Sequence, residues 1–237
     1  VQIVGLALLA FVVWVGFQER TDTTISAFDG HAFVMVLVGS FSAVLVMSSG
    51  RTTARTFALL REIVPGAGLL AKETAALEAE RAQLVELWRE GRRAQAVGMA
   101  EGSRFPAVRR MLALVLSRAP VEATRAAFTE LRHAEMERWQ PPIGNWEVLA
   151  KLAPSFGMVG TITGMIQLFQ TMGAEGANLG ASLSLALLAT LYGVAFGAGV
   201  AGPLGHFLRG LLDERIGALE RCEQSVAELI ARGGQGG

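Results

Sequence analysis

Two threonines in this 237-residue chain have the type and setting to do chemistry, Thr161 and Thr190. Each lies in an apolar run crowded with glycine and alanine, "LAPSFGMVGTITGM" at 152–165 and "ALLATLYGVAFGAGVAG" at 186–202. A hydroxyl offers one donor and two acceptor lone pairs. Two hydroxyls facing one cavity can therefore contact an incoming carboxylate or a partly hydrated ion. The plainer alternative is that each threonine bonds back to a carbonyl of its own helix.

Spacing places both hydroxyls on packing faces. Gly157, Gly160, Thr161, Gly164 and Leu168 follow intervals of three and four, and so share one side of a helix. Ala189, Gly193, Gly197 and Ala201 recur at intervals of four. Small residues let helix backbones approach closely, which is how helices associate in lipid. Run antiparallel about the turn "GAEGAN" at 173–178, the two helices carry Thr161 and Thr190 to comparable depth. Pro154 and Pro203 form a matching pair near the opposite ends of the two runs. Each removes a backbone donor, which makes it a kink or a hinge for coupling.

Neither 152–172 nor 179–208 contains Asp, Glu, Lys or Arg. Ion pathways through lipid depend on ionisable or strongly polar groups, which are costly enough there to mark function. If this chain helps to move ions, the titrating group comes from a partner.

The elements that position these residues follow from the apolar blocks. The chain is 51% hydrophobic and 18% charged, with a formal net charge of +0. Four blocks, at 3–17, 32–47, 152–172 and 179–208, approach the ~20 apolar residues that cross a bilayer. The first starts at Val1 with no basic stretch before it and no A-x-A site after it, and is read as a retained span rather than a cleaved leader. Of the 21 Lys and Arg, only Arg20 lies outside 51–151 and the stretch after Leu208. The positive-inside rule then puts the middle segment, the tail and both chain ends in the cytoplasm.

The expected fold class is an all-α membrane protein with four transmembrane helices and a helical cytoplasmic domain between spans two and three. Residues 1–48 hold the first two spans and a short periplasmic link, 49–151 the cytoplasmic domain, 152–208 the pore-lining spans, and 209–237 a cytoplasmic tail helix. Within the middle segment, 72–97 reads as one amphipathic helix, while Pro106 and Pro120 open two more. Turns are expected at 65–68 and 98–103. Cys222, the only cysteine, can form no internal disulfide.

Enzyme chemistry has little to stand on. His31, His133 and His206 lie in three separate regions, without metal-ligand spacing. "GMVGTITG" at 157–164 lacks the lysine of a phosphate loop and lies inside a span. No metal, cofactor or nucleic acid is expected, and the chain is read as a non-enzyme.

"APSFGMVGTITGM" and "LSLALLATLYGVAFGAGVAGPL" together resemble the third and fourth spans of the MotA/PomA family of flagellar stator subunits, within the wider superfamily of ExbB and TolQ proteins. "GSFSAVLVMSSGRTTARTFALL" is similar to that family's second span and its exit. The resemblance implies a pentamer in the bacterial inner membrane around two single-span MotB-like partners, which bring a membrane aspartate and a peptidoglycan-binding domain. It implies that Thr161 and Thr190 face that aspartate, and that Pro154 and Pro203 are the family's paired prolines. It also implies that Arg92, Arg93 and Glu101 touch the rotor protein FliG, although the family's denser acidic cluster is missing here. The coupling ion the resemblance implies is H+ or Na+. Alternatives are an ExbB/TolQ-like or gliding-type motor ring and a non-conducting scaffold. Two apolar blocks before the large segment favour the MotA type, since ExbB and TolQ have one.

Overall fold

The computed structural model describes residues 30–64, 68–172 and 179–233. The first apolar block, Arg20, the 173–178 turn and the last four residues lie outside the described residues, as does most of the expected turn at 65–68. The described residues contain helices and no strand. In chain order these are α1 (Gly30–Met47), α2 (Gly50–Ala58), a 3-10 turn (Leu59–Ile63), α3 (Leu69–Arg89), α4 (Arg93–Glu101), α5 (Pro106–Leu116), α6 (Val121–Thr171), α7 (Leu179–Phe196), a π-helical turn (Gly197–Ala201) and α8 (Gly202–Gly233).

Three expectations change. The helix expected over 72–97 is two helices, because the chain turns at Gly91 with φ of +77°, a conformation open chiefly to glycine. Gly98 does not break the chain; α4 runs through it to Glu101, and the break follows at Gly102. The helix opened at Pro120 and the third apolar block are one helix of 51 residues, α6, containing Pro141, Pro142 and Pro154. Proline at 141 and 142 deprives the carbonyls of Glu137 and Arg138 of donors, but both residues are exposed, so water can serve them.

The chain divides into two units. One comprises 1–63 and 141–208, the other 64–140 and 209–237. In the first, Ala32 and Val36 of α1 pack on Ala153 and Ala189, bordered by Leu188, Tyr192 and Phe196. Around this small core, Met158, Val159, Ile162, Ile166, Leu183 and Leu187 remain exposed, an outer surface suited to lipid or neighbouring chains rather than water. Two described helices, 121–170 and 182–231, are long and apolar enough to cross a membrane, and 32–47 is a shorter apolar helix.

The second unit has a core of soluble type. Leu77, Leu84, Val108, Met111, Phe128, Leu219, Cys222 and Val226 are buried together. Arg215 is buried beside them and donates to Glu135 at 3.2 Å and to the Glu73 carbonyl at 3.3 Å, which offsets part of the cost of burying its charge, while its Nε finds no partner among the described residues. Arg132 and Glu223 pair at 2.6 Å.

Candidate functional site

The small residues on α6 and α7 touch through their backbones. A Cβ added at Gly157 would lie 2.8 Å from the Ala189 carbonyl oxygen, and one at Gly193 would lie 2.6 Å from that of Ala153. At Gly164 it would meet the Ser182 carbonyl at 2.9 Å, and at Gly160 it would overlap the Ala189 methyl. Real Cβ atoms do not come so close, so nothing larger than glycine fits these positions without moving a helix.

Lower on the same seam, Pro154 cannot donate to the Ala150 carbonyl. That carbonyl instead faces Gly197, where an added Cβ would lie 2.7 Å from it and 2.7 Å from Pro154 Cδ. Gly197 opens the π-helical turn, and the Gly202 amide donates to its carbonyl. Pro203 then falls in the first turn of α8, where a missing donor costs least, and it is exposed. Single π turns often mark functional positions inside helices. Pro154 and Gly197 are thus brought together, while Pro203 lies just beyond the turn.

The close approach sets the two hydroxyls against each other. Thr161 Oγ1 and Thr190 Oγ1 are hydrogen-bonded. Thr161 also reaches the carbonyl of Gly157 on its own helix at 3.2 Å and that of Ala186 across the seam at 3.1 Å. Thr190 reaches the same two carbonyls at 3.5 Å each. Each threonine thus bonds back to its own helix and also faces the other. Four oxygens converge, but two hydroxyls supply only two protons. Once one hydroxyl donates to the other, a single proton is left for two carbonyls. Such a site is rich in acceptors and can coordinate a cation, or it can turn its hydroxyl protons toward a carboxylate. Both threonines are half-buried in the single chain.

Arg92, Arg93 and Glu101 lie in the other unit and are all exposed. Arg92 pairs with Glu90 at 3.0 Å, Arg93 sits 5.4 Å over the Trp88 ring, and Glu101 ends α4.

One group escaped the sequence reading. Asn145, on α6, accepts from Ser48 Oγ at 2.8 Å and donates to Thr56 Oγ1 at 2.8 Å. The indole of Trp146 donates to the Thr56 carbonyl at 3.1 Å. This polar cluster ties Ser48, just past the end of α1, and Thr56 of α2 to α6. A polar residue between charged and apolar runs, "PPIGNWE", was its only signal.

The model of the MotA/TolQ/ExbB proton channel family matches residues 102–221, half of the chain. Motility protein A of Aquifex aeolicus (strain VF5) is 34% identical over 91 residues, covering 38% of this chain and 35% of that protein. The corresponding protein of Treponema phagedenis is 30% identical over 106 residues, or 36% of its length. The matched stretch thus spans about a third of either relative. Motility protein A of Borreliella burgdorferi is 29% identical over 195 residues, covering 80% of this chain and 70% of that one. Among solved structures, the flagellar MotAB stator complex from Bacillus subtilis superposes with a TM-score of 0.75 at 20% identity, covering 96% of this chain and 88% of the matched one. C. jejuni MotAB gives 0.71 at 15% identity, with 97% and 88% covered. At such identities the structures establish the fold.

Proposed function

This chain belongs to the MotA/TolQ/ExbB proton channel family, and from that premise we propose that it is the ion-channel subunit of a flagellar stator, coupling H+ or Na+ flow to torque. One observation carries the reading. The Thr161 and Thr190 hydroxyls meet on a seam of two helices whose apolar stretches, 152–172 and 179–208, hold no Asp, Glu, Lys or Arg. A pathway built this way needs a carboxylate from outside, and a MotB-like single-span partner with a membrane aspartate would supply it.

In this reading the chain crosses the bacterial inner membrane four times, with both ends cytoplasmic. Residues 49–151 form a cytoplasmic helical domain and 209–237 a tail helix. Several copies, five by the family resemblance, surround the partner. When the aspartate is charged it recruits the hydroxyl protons of Thr161 and Thr190; when it is neutralised by a proton or a bound cation, the hydroxyls return to each other and to the Gly157 and Ala186 carbonyls. That exchange gives the seam two arrangements with different contacts, which a switching element requires. Pro154 and Gly197 lie along the same seam, and with Pro203 just beyond the π turn they pass the change toward the cytoplasmic helices. Arg92, Arg93 and Glu101 then offer exposed charges to a rotor protein such as FliG.

The test is native mass measurement of the purified complex, with and without the single-span partner co-expressed. A ring that captures a few copies of an aspartate-bearing partner supports the reading. A stable assembly that takes up none would leave the pathway without a titrating group and favour a scaffold.

A further inference from the structure

We infer that α2 and the 3-10 turn after it form a binding surface for anionic phospholipid headgroups, with Arg51, Arg55 and Arg61 holding the phosphates. The inference rests on reading α1 as a membrane span. The last turn of α1 exposes Leu45, Val46 and Met47, with Val46 88% exposed. Four residues after Met47 comes Arg51. An outward apolar surface that gives way to a basic one within four residues fits the step from acyl chains to headgroups.

The surface is fixed in orientation. Ser49 caps α2 by accepting from the Thr52 amide, and Thr56 and Leu59 are buried. Thr56 is held by Asn145 and Trp146 of the same unit, so α2 cannot roll. Arg51 and Arg55, four residues apart, share a face turned away from the buried one, and Arg61 follows in the next turn. All three are exposed, and none is ion-paired among the described residues. The described acids of this unit are Glu62 and Glu147 against four cations, the three arginines and Lys151, so the field there is positive.

On another side of α2, Phe57 stacks on Phe41 of α1 with ring centroids 5.7 Å apart, and Phe41 meets Phe196 at 5.8 Å. Phe57 is still partly exposed. An element with one aromatic and one basic flank at the end of a span has the make-up of an interfacial helix. Guanidinium forks bind phosphate oxygens in pairs, which sets arginine apart from lysine here.

The test uses the full chain with its partner, purified in mild detergent, exposed to equal amounts of phosphatidylglycerol and phosphatidylcholine, and weighed by native mass spectrometry. We expect phosphatidylglycerol to be retained over phosphatidylcholine by about fivefold or more, since one cation near an anionic surface contributes about that factor. R51Q/R55Q/R61Q should lose the preference, and R51K/R55K/R61K should keep part of it. Equal retention of both lipids by the wild-type complex overturns the inference, whether or not the variants fold. So does a preference that survives in the glutamine variant, or one abolished by millimolar inorganic phosphate, which would mark a free-anion site. Alkaline carbonate extraction separates the two failures. A wild-type chain released from membranes refutes the span, and a retained chain without lipid preference refutes only the lipid surface.

Discussion

Thr161 and Thr190 bond each other across the α6–α7 seam, and both reach the carbonyls of Gly157 and Ala186. The relationship is reciprocal, each hydroxyl lying between its own helix and the facing one. If the pair serves an ion, Thr161→Ala and Thr190→Ala should each lower ion flux by about tenfold or more, the value of one hydrogen bond to a charged group. Serine at either site should restore most of it. Complex mass should be unchanged, and reconstituted flux measured beside native mass checks both.

Gly193 faces the Ala153 carbonyl at a distance no side chain tolerates. Gly193→Val should separate α6 from α7, at a cost of about 1–3 kcal/mol for overpacking. The thermal midpoint of the detergent-solubilised chain should fall, with loss of oligomer on gel filtration. Gly210, with open space around it, should accept alanine with little change.

Asn145 is 8% exposed and uses both ends of its amide. Asn145→Leu leaves the Ser48 hydroxyl without its acceptor, and we expect a loss of about 1–3 kcal/mol. Thermal unfolding should show it, with a smaller loss for Asn145→Gln if the longer amide still reaches Ser48.

Cys222 is buried in the second unit, and burial pushes its thiol pKa from 9.0 up to about 12. The unfolded chain therefore releases this proton near pH 9, whereas the folded chain keeps it. Between pH 9 and 12 the unfolded state binds fewer protons, so this residue's contribution falls as pH rises, by about 1.4 kcal/mol per unit. Cys222→Ala should flatten that part of the stability profile. Iodoacetamide at pH 8.5 should label the wild-type chain only after denaturation.

How much could be read in advance depends on how local each signal is. The seam was legible because helical spacing alone puts Gly157, Gly160, Thr161 and Gly164 on one face. The third and fourth apolar blocks were legible because composition alone marks them, and they fall in the two described helices long and apolar enough to cross a membrane. The break at Gly91 was not, since a single glycine in an amphipathic pattern does not reveal a positive φ. Nor was the length of α6: the helix runs through Pro141 and Pro142, whose orphaned carbonyls belong to exposed residues. The Asn145 cluster joins residues 89 and 97 positions apart, with no periodicity to announce them.

The central claim is that this chain conducts only with a carboxylate from its partner. The most direct measurement is H+ and Na+ flux into proteoliposomes carrying the chain alone, the chain with its single-span partner, and the chain with that partner's membrane aspartate changed to asparagine. The account predicts flux of one of the two ions in the second preparation and background in the other two. Flux through the chain alone, or flux that survives loss of the aspartate, would contradict it.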